Sequence, residues 1–160
     1  MDKNQTYTLS EAHLYLAKSL NNIVWELLQK PIRSKEEDEI MVDAAHASCY
    51  HWLQVGTGLH HQRAEWLIAH VYTELNLVDA ALRHAARCLE LNSEFATLME
   101  DFDFAYAYEG MARAYALAGK HDEALQFIQL AARQGQTIEN DEDRSIFMGD
   151  FNTGDWHGLK

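Results

Sequence analysis

Apolar residues return every three or four positions through most of the chain, which is the period of an amphipathic helix. The first such run holds Leu9, Ala12, Leu16, Leu20, Ile23, Val24, Leu27 and Leu28. Thr8 stands three residues before Glu11, the spacing of a capping box, in which hydroxyl and carboxylate each take a free first-turn amide. Pro31 ends the run, because the residue before a proline is pushed out of the helical region. A second box, Ser34 to Glu37, opens the next helix, and the acidic run Glu36 to Glu39 suits the positive end of its dipole. Its apolar side continues through Ile40, Met41, Ala44, Ala45, Ala47, Cys49 and Trp52, and stops at Gly56-Thr57-Gly58.

The same reading predicts helices over about 60–75, 79–91, 102–118 and 122–133, with Asn92-Ser93 as a cap and turn after the fourth. Asn140 caps a short seventh helix, with Asp141, Glu142 and Asp143 in its first turn and Ile146, Phe147 and Phe151 on its apolar side. The expected domain covers 1–151, and 152–160 is expected to be a flexible tail. Pro occurs once and Gly eight times, so long helices are permitted and nothing reads as a sandwich with a turn every ten residues; the expected class is all-α.

Two stretches repeat. Tyr72 to Leu82 and Tyr115 to Leu125 share a Tyr, a turn residue (Asn76 or Gly119), an Asp (Asp79 or Asp122) and an Ala-Leu pair at identical spacings. Seven residues beyond Ala81 and Ala124 comes a second small residue, Cys88 or Ala131. Gly and Asn best tolerate the left-handed backbone that ends a helix, and the Asp suits the first turn of the next one. Small residues at Ala81 and Ala124 let paired helices approach closely.

This pattern resembles the tetratricopeptide repeat. Leu75 to Ser93 looks like that family's turn and second helix, with Ser93 in place of the usual terminal Pro. Tyr108, Ala112, Tyr115, Gly119, Ala124 and Ala131 match its small and aromatic positions in the second copy. The two copies span about 62–134, and residues 8–56 supply a helix pair of the right size that matches the motif poorly. The turn residues lie 43 positions apart, against about 34 for a regular repeat, which places an insertion around Glu94 to Asp103. Ala45-His46-Ala47-Ser48, Tyr50-His51-Trp52, Arg63 and Glu65-Trp66 are also similar to a group of small bacterial tetratricopeptide-like proteins. The resemblance implies about three antiparallel helix hairpins stacked side by side, followed by the short last helix.

In such stacks the first helix of each hairpin lines a concave surface. The resemblance puts Glu65, Ile68, Ala69 and Tyr72 at packing positions and turns Arg63, Trp66, His70, Thr73 and Glu74 toward the groove. On the fifth helix the equivalent line is Tyr106, Glu109, Gly110 and Arg113. Arg63, Trp66, His70, Tyr106, Glu109 and Arg113 are therefore the candidate residues for holding a peptide or a partner protein. On the competing reading Trp66 packs against the adjacent hairpin, and Arg63, Glu109 and Arg113 pair with one another. Gly110 costs about 1 kcal/mol in mid-helix relative to Ala, so packing or a ligand is expected to require it.

Charge and composition narrow the partners. Lys and Arg number 13 against 25 Asp and Glu, a formal charge of −12, which repels phosphate backbones and anionic membranes. Neither nucleic acid nor membrane is an expected partner. The polar start Met1 to Thr6 has no hydrophobic signal region, and no stretch reaches the ~18 apolar residues of a span, so a cytoplasmic location is expected. Two cysteines in 160 residues make no disulfide scaffold. Leftover apolar residues on the first or seventh helix could pair two copies of the chain.

Candidate chemistry adds little. His84 and Cys88 are four apart on one helix, and His46 and His51 lie on another, so a weaker alternative is a small-molecule or metal site built from His46, His51, His84 and Cys88 where helices two and four meet. No HExxH or CxxC is present. Asp43 and His46 carry half of a di-iron helix motif without its second copy. The run Asp150 to Asp155 has its glycine misplaced for a calcium loop. Cys49 lies one turn from His46, but a thiol on an apolar helix face is inert. Asp101 and Asp103 read as capping residues of the fifth helix. No nucleophile elbow or phosphate loop occurs, so no cofactor and no catalytic activity are expected.

Overall fold

A computed structural model describes residues 6–160; the polar start, Met1 to Gln5, lies outside the described residues. Among these residues there are seven α-helices, one 3-10 turn and no strand: α1 (Leu9–Leu28), α2 (Lys35–Val55), α3 (Gly58–Glu74), α4 (Val78–Glu94), α5 (Asp101–Leu117), α6 (His121–Gln136) and α7 (Asp141–Phe151). Both capping boxes form as the spacing requires. Glu11 N donates to Thr8 Oγ1 at 3.2 Å while Thr8 N donates to Glu11 Oε2 at 2.8 Å. Ser34 and Glu37 do the same for α2. Asn140 Oδ1 accepts from Glu142 N and Asp143 N at the start of α7.

Three antiparallel hairpins, α1–α2, α3–α4 and α5–α6, stack in sequence, with α3 also touching α5 and with α7 closing the end against α5 and α6. The two repeated bends are the same object at backbone level. Asn76 has φ 57° and Gly119 φ 69°. Leu77 N donates to Tyr72 O at 2.9 Å, and Lys120 N donates to Tyr115 O at 3.0 Å. Each bend is a Schellman turn whose far acceptor is the carbonyl of the repeated tyrosine.

Small residues stand where the helices cross. Ala81, Ala124 and Ala131 are fully buried, as is Cys88 at 1% exposure. Three buried clusters follow one another along the stack: Val24, Met41 and Ile68 in the first, Ala69, Ala85 and Met111 in the middle, Ile138, Phe147 and Trp156 in the last. The extra length between the repeats holds a 3-10 turn, Ala96–Leu98.

Two expectations are corrected. α4 does not stop at Asn92-Ser93 but runs on to Glu94. Asn92 is buried, and its Nδ2 donates to Asp103 O at 3.3 Å, so its amide ties the hairpins together instead of ending the helix. The segment expected to fray, 152–160, folds back on the bundle. Trp156 is 4% exposed in the last core cluster, and Lys160 Nζ donates to Phe151 O at 2.6 Å while lying over the Phe151 ring. An indole and a lysine stem outweigh the polar residues around them once a buried slot is within reach.

Candidate functional site

Trp66 projects from α3 at the spacing expected for a groove residue, and it meets rings from three other positions. It stacks on His70, one turn along, with centroids 5.2 Å apart and planes within 8°. Trp25 of α1 stacks at 6.1 Å, and Tyr106 of α5 meets the indole edge-on at 5.3 Å. A Cβ at Gly110 would stand 3.3 Å from Trp66 Cδ1, so packing favours this glycine: a side chain there would need the indole to yield slightly.

Beside these rings a cavity of about 420 Å³ opens between α1, α3, α5 and α7. Its walls are mostly apolar, with Trp25, Trp66, Phe102, Tyr106 and Ile146 among them and Arg63 at the side. Arg63 is held in place by a fork onto Asp103, Nε to Oδ1 at 2.9 Å and Nη2 to Oδ2 at 3.0 Å, and by the Phe102 ring at 5.1 Å. Asp103 is 3% exposed and also accepts from Glu100 N, which closes the first turn of α5. Asp101 accepts from Glu139 N. Tyr106 donates to Asp150 Oδ2 at 2.5 Å, and burial together with that carboxylate pushes its phenol well above the usual range.

The other half of the expected groove is closed. Glu109 and Arg113 are 3% and 9% exposed and bond to each other within α5. Arg113 Nη2 donates to the carbonyls of Asp150 and Thr153, both at 3.0 Å, and its guanidinium lies 4.2 Å from the Trp156 ring centroid. These two residues therefore face α7 and the folded-back segment, not an open groove. Of the six candidates, Arg63, Trp66 and Tyr106 line the cavity, His70 stacks behind Trp66, and Glu109 and Arg113 are internal. Sequence reasoning missed Trp25, Phe102 and Ile146; Trp25 is 38% exposed and Ile146 54%, and leftover apolar residues on α1 and α7 were the only signal for these two, with none for Phe102 at the start of α5.

The four residues of the alternative site do not converge. His51 pairs with His13, Nδ1 to Nδ1 at 2.7 Å, on the α1 side of α2. Cys88 is deep in the core, where its sulfur accepts from Gln62 Nε2 at 3.3 Å and burial pushes the thiol up. Only His46 and His84 meet, with ring centroids 5.2 Å apart. His46 Nε2 lies 2.8 Å from Tyr72 Oη, and His84 Nδ1 lies 2.6 Å from Glu65 Oε2.

The chain matches no family model, no curated protein and no solved structure.

Electrostatics follow from these placements. Burial lowers His70, against the opposing pull of Glu109 and Glu74, so the imidazole behind Trp66 is held neutral. His46 is lowered by burial and by the neighbouring His84. Burial raises Glu65, but the hydrogen bond and charge of His84 and the charge of His61 outweigh it and hold the carboxyl below its usual value. Cys49 is pushed up to about 12, by burial first and by Glu65 second. No helix among the described residues is long and apolar enough to cross a membrane.

Proposed function

We propose that this protein is a non-catalytic, tetratricopeptide-like binding module that seats one bulky apolar side chain of a basic partner peptide in the cavity beside Trp66. The observation that carries the reading is the cavity itself, open, mostly apolar and walled by the first helices of all three hairpins together with α7. Its volume, about 420 Å³, lies within the usual range for a ligand pocket, about 300–1,000 Å³. That is room for an anchor, not for a long strand laid along the stack. The formal charge of −12 favours an anchor flanked by Lys or Arg. Arg63, Trp66 and Tyr106 form the fixed wall, and Ile146 stands at the rim.

The test is selection from a displayed random-peptide library on the full chain. Peptides with an aromatic or aliphatic anchor and basic flanks are expected. Ile146→Glu, on an exposed rim, should weaken a selected peptide by about tenfold or more, the loss typical of an anchor contact. Leu53→Glu, equally exposed on α2, should leave it unchanged. Enrichment of no common anchor, or binding indifferent to Ile146→Glu, would overturn the reading. So would occupancy by small aromatic solutes with no peptide selected.

A further inference from the structure

A second constellation lies on the opposite side of α3 from the cavity and is independent of it. Cys49 of α2 and His61 and Glu65 of α3 each offer one ligand atom, and the three atoms lie within 4.8 Å of one another. His61 and Glu65 are one helical turn apart, so both point from one face, with His61 Nε2 3.4 Å from Glu65 Oε1. Two ligands of one tetrahedral ion stand about 3.3–3.7 Å apart, given bonds of about 2.0–2.3 Å. The His–Glu pair already has that separation, and the Cys49 sulfur lies within 4.8 Å of both ligand atoms.

We propose that Cys49, His61 and Glu65 bind a divalent transition-metal ion of the zinc class. The donor set decides the class: one thiolate, one imidazole and one carboxylate suit zinc or cobalt, whereas calcium and magnesium require mostly oxygen. The two carboxylate oxygens divide the work. Oε1 faces His61, and Oε2 lies 2.6 Å from His84 Nδ1. His84 of α4 is thus a positioning residue that orients the ligand carboxylate, as outer-shell partners of metal ligands do. His46 backs His84 in turn, ring to ring.

A surface cavity of about 390 Å³ lies on the His84 side of Glu65, bordered by Glu65, Arg83, His84, Arg87 and Glu90. Arg87 at its edge is bonded to Glu90 and Glu94. Binding breaks the Cys49 S–H bond, forms a sulfur–metal bond and releases the proton to solvent, with no change in oxidation state. His61 supplies the Nε2 lone pair. Three protein ligands leave a fourth position for water or an outside ligand, and the ion ties α2 to α3 while His84 extends the linkage to α4.

Cobalt(II) added to chelator-treated full-length protein tests this. One ion should bind per chain, with the sulfur-to-cobalt charge-transfer absorption that only a thiolate ligand gives. Cys49→Ser should abolish that band, and His61→Gln should abolish or greatly weaken binding. His84→Gln should weaken affinity by about 10- to 100-fold and keep the band. His51→Gln, which breaks the separate His13–His51 pair, should change neither. Far-ultraviolet circular dichroism establishes that each variant is folded. No stoichiometric cobalt, a band that survives Cys49→Ser, or binding lost in His51→Gln would overturn the site.

Discussion

Along one continuous helical face, the end built by α1, α3 and the start of α5 is open, and the end built by the middle of α5 is covered. Trp66 and Arg63 border a cavity, while Glu109, 43 positions beyond Trp66 at the equivalent place in the next hairpin, is buried beside Arg113, which α7 and Trp156 cover. Local sequence is similar at the two ends, each with an aromatic, an acid and an arginine at helical spacing. What differs is what the chain does afterwards. A groove position in a helical stack is defined by its helix, but its availability is decided by segments far along the chain.

The largest expected effect comes from breaking the covered end. Arg113→Ala leaves Glu109 buried without its partner, a loss of about 3–5 kcal/mol for a broken buried pair, read as a lower midpoint in urea unfolding. Arg63→Ala at the open end should cost less: Asp103 is as buried as Glu109, but Arg63 is 44% exposed, so its removal lets water reach the carboxylate, which also keeps the Glu100 amide. Equal losses would mean that the two ends are not different environments. The bends should, by contrast, behave alike. Gly119→Ala places a Cβ at φ 69° with open space around it, so its cost of about 1–2 kcal/mol is conformational alone. Exchanging the turn residues, Asn76→Gly and Gly119→Asn, should each shift stability by less, since both tolerate that backbone. A bend that tolerated Ala without loss would break the equivalence.

The smallest expected effect is that of pH at the junction of the two ends. His70 is lowered from its ordinary 6.5 by burial, with Glu109, Glu74, Arg113 and Asp150 acting on it. Trp25 and Trp66 pack on its ring. Between the folded and unfolded values the unfolded chain binds more protons, so stability rises with pH there. The contribution is present above 6.5 and is lost as pH falls toward the depressed folded value. The melting temperature should therefore drop on acidification below about pH 6.5, and His70→Gln should flatten that slope. An unchanged slope in the variant would locate the sensitivity elsewhere.

Much of the fold was legible because its signals are local. Thr8, Ser34 and Asn140 cap within a few residues of themselves, and Asn76 and Gly119 announce their bends through backbone tolerance alone. The repeated tyrosines were legible as ring positions, although their carbonyls prove to be the shared acceptors. Asn92 misled because a polar pair reads as a stop wherever its side chain goes, and only the Asp103 carbonyl, brought from the next hairpin, gives it a buried partner. Trp156 was illegible for the same reason: its slot is made by Arg113 and Phe151, and nothing near it in sequence says so. The site divided likewise. Arg63, Trp66 and Tyr106 follow from helical spacing, but Cys49 beside His61 and Glu65 depends on how α2 lies across α3, which no periodicity encodes.

The file of Trp25, Trp66 and His70 has an optical consequence. Two indoles stacked 6.1 Å apart are close enough to exchange excitation energy, and the neutral imidazole 5.2 Å from the inner one sets the polarity around it. Anything that wedges into the space beside them, or turns Trp66 by a few degrees, alters their emission. The molecule carries its own lamp at the mouth of its pocket.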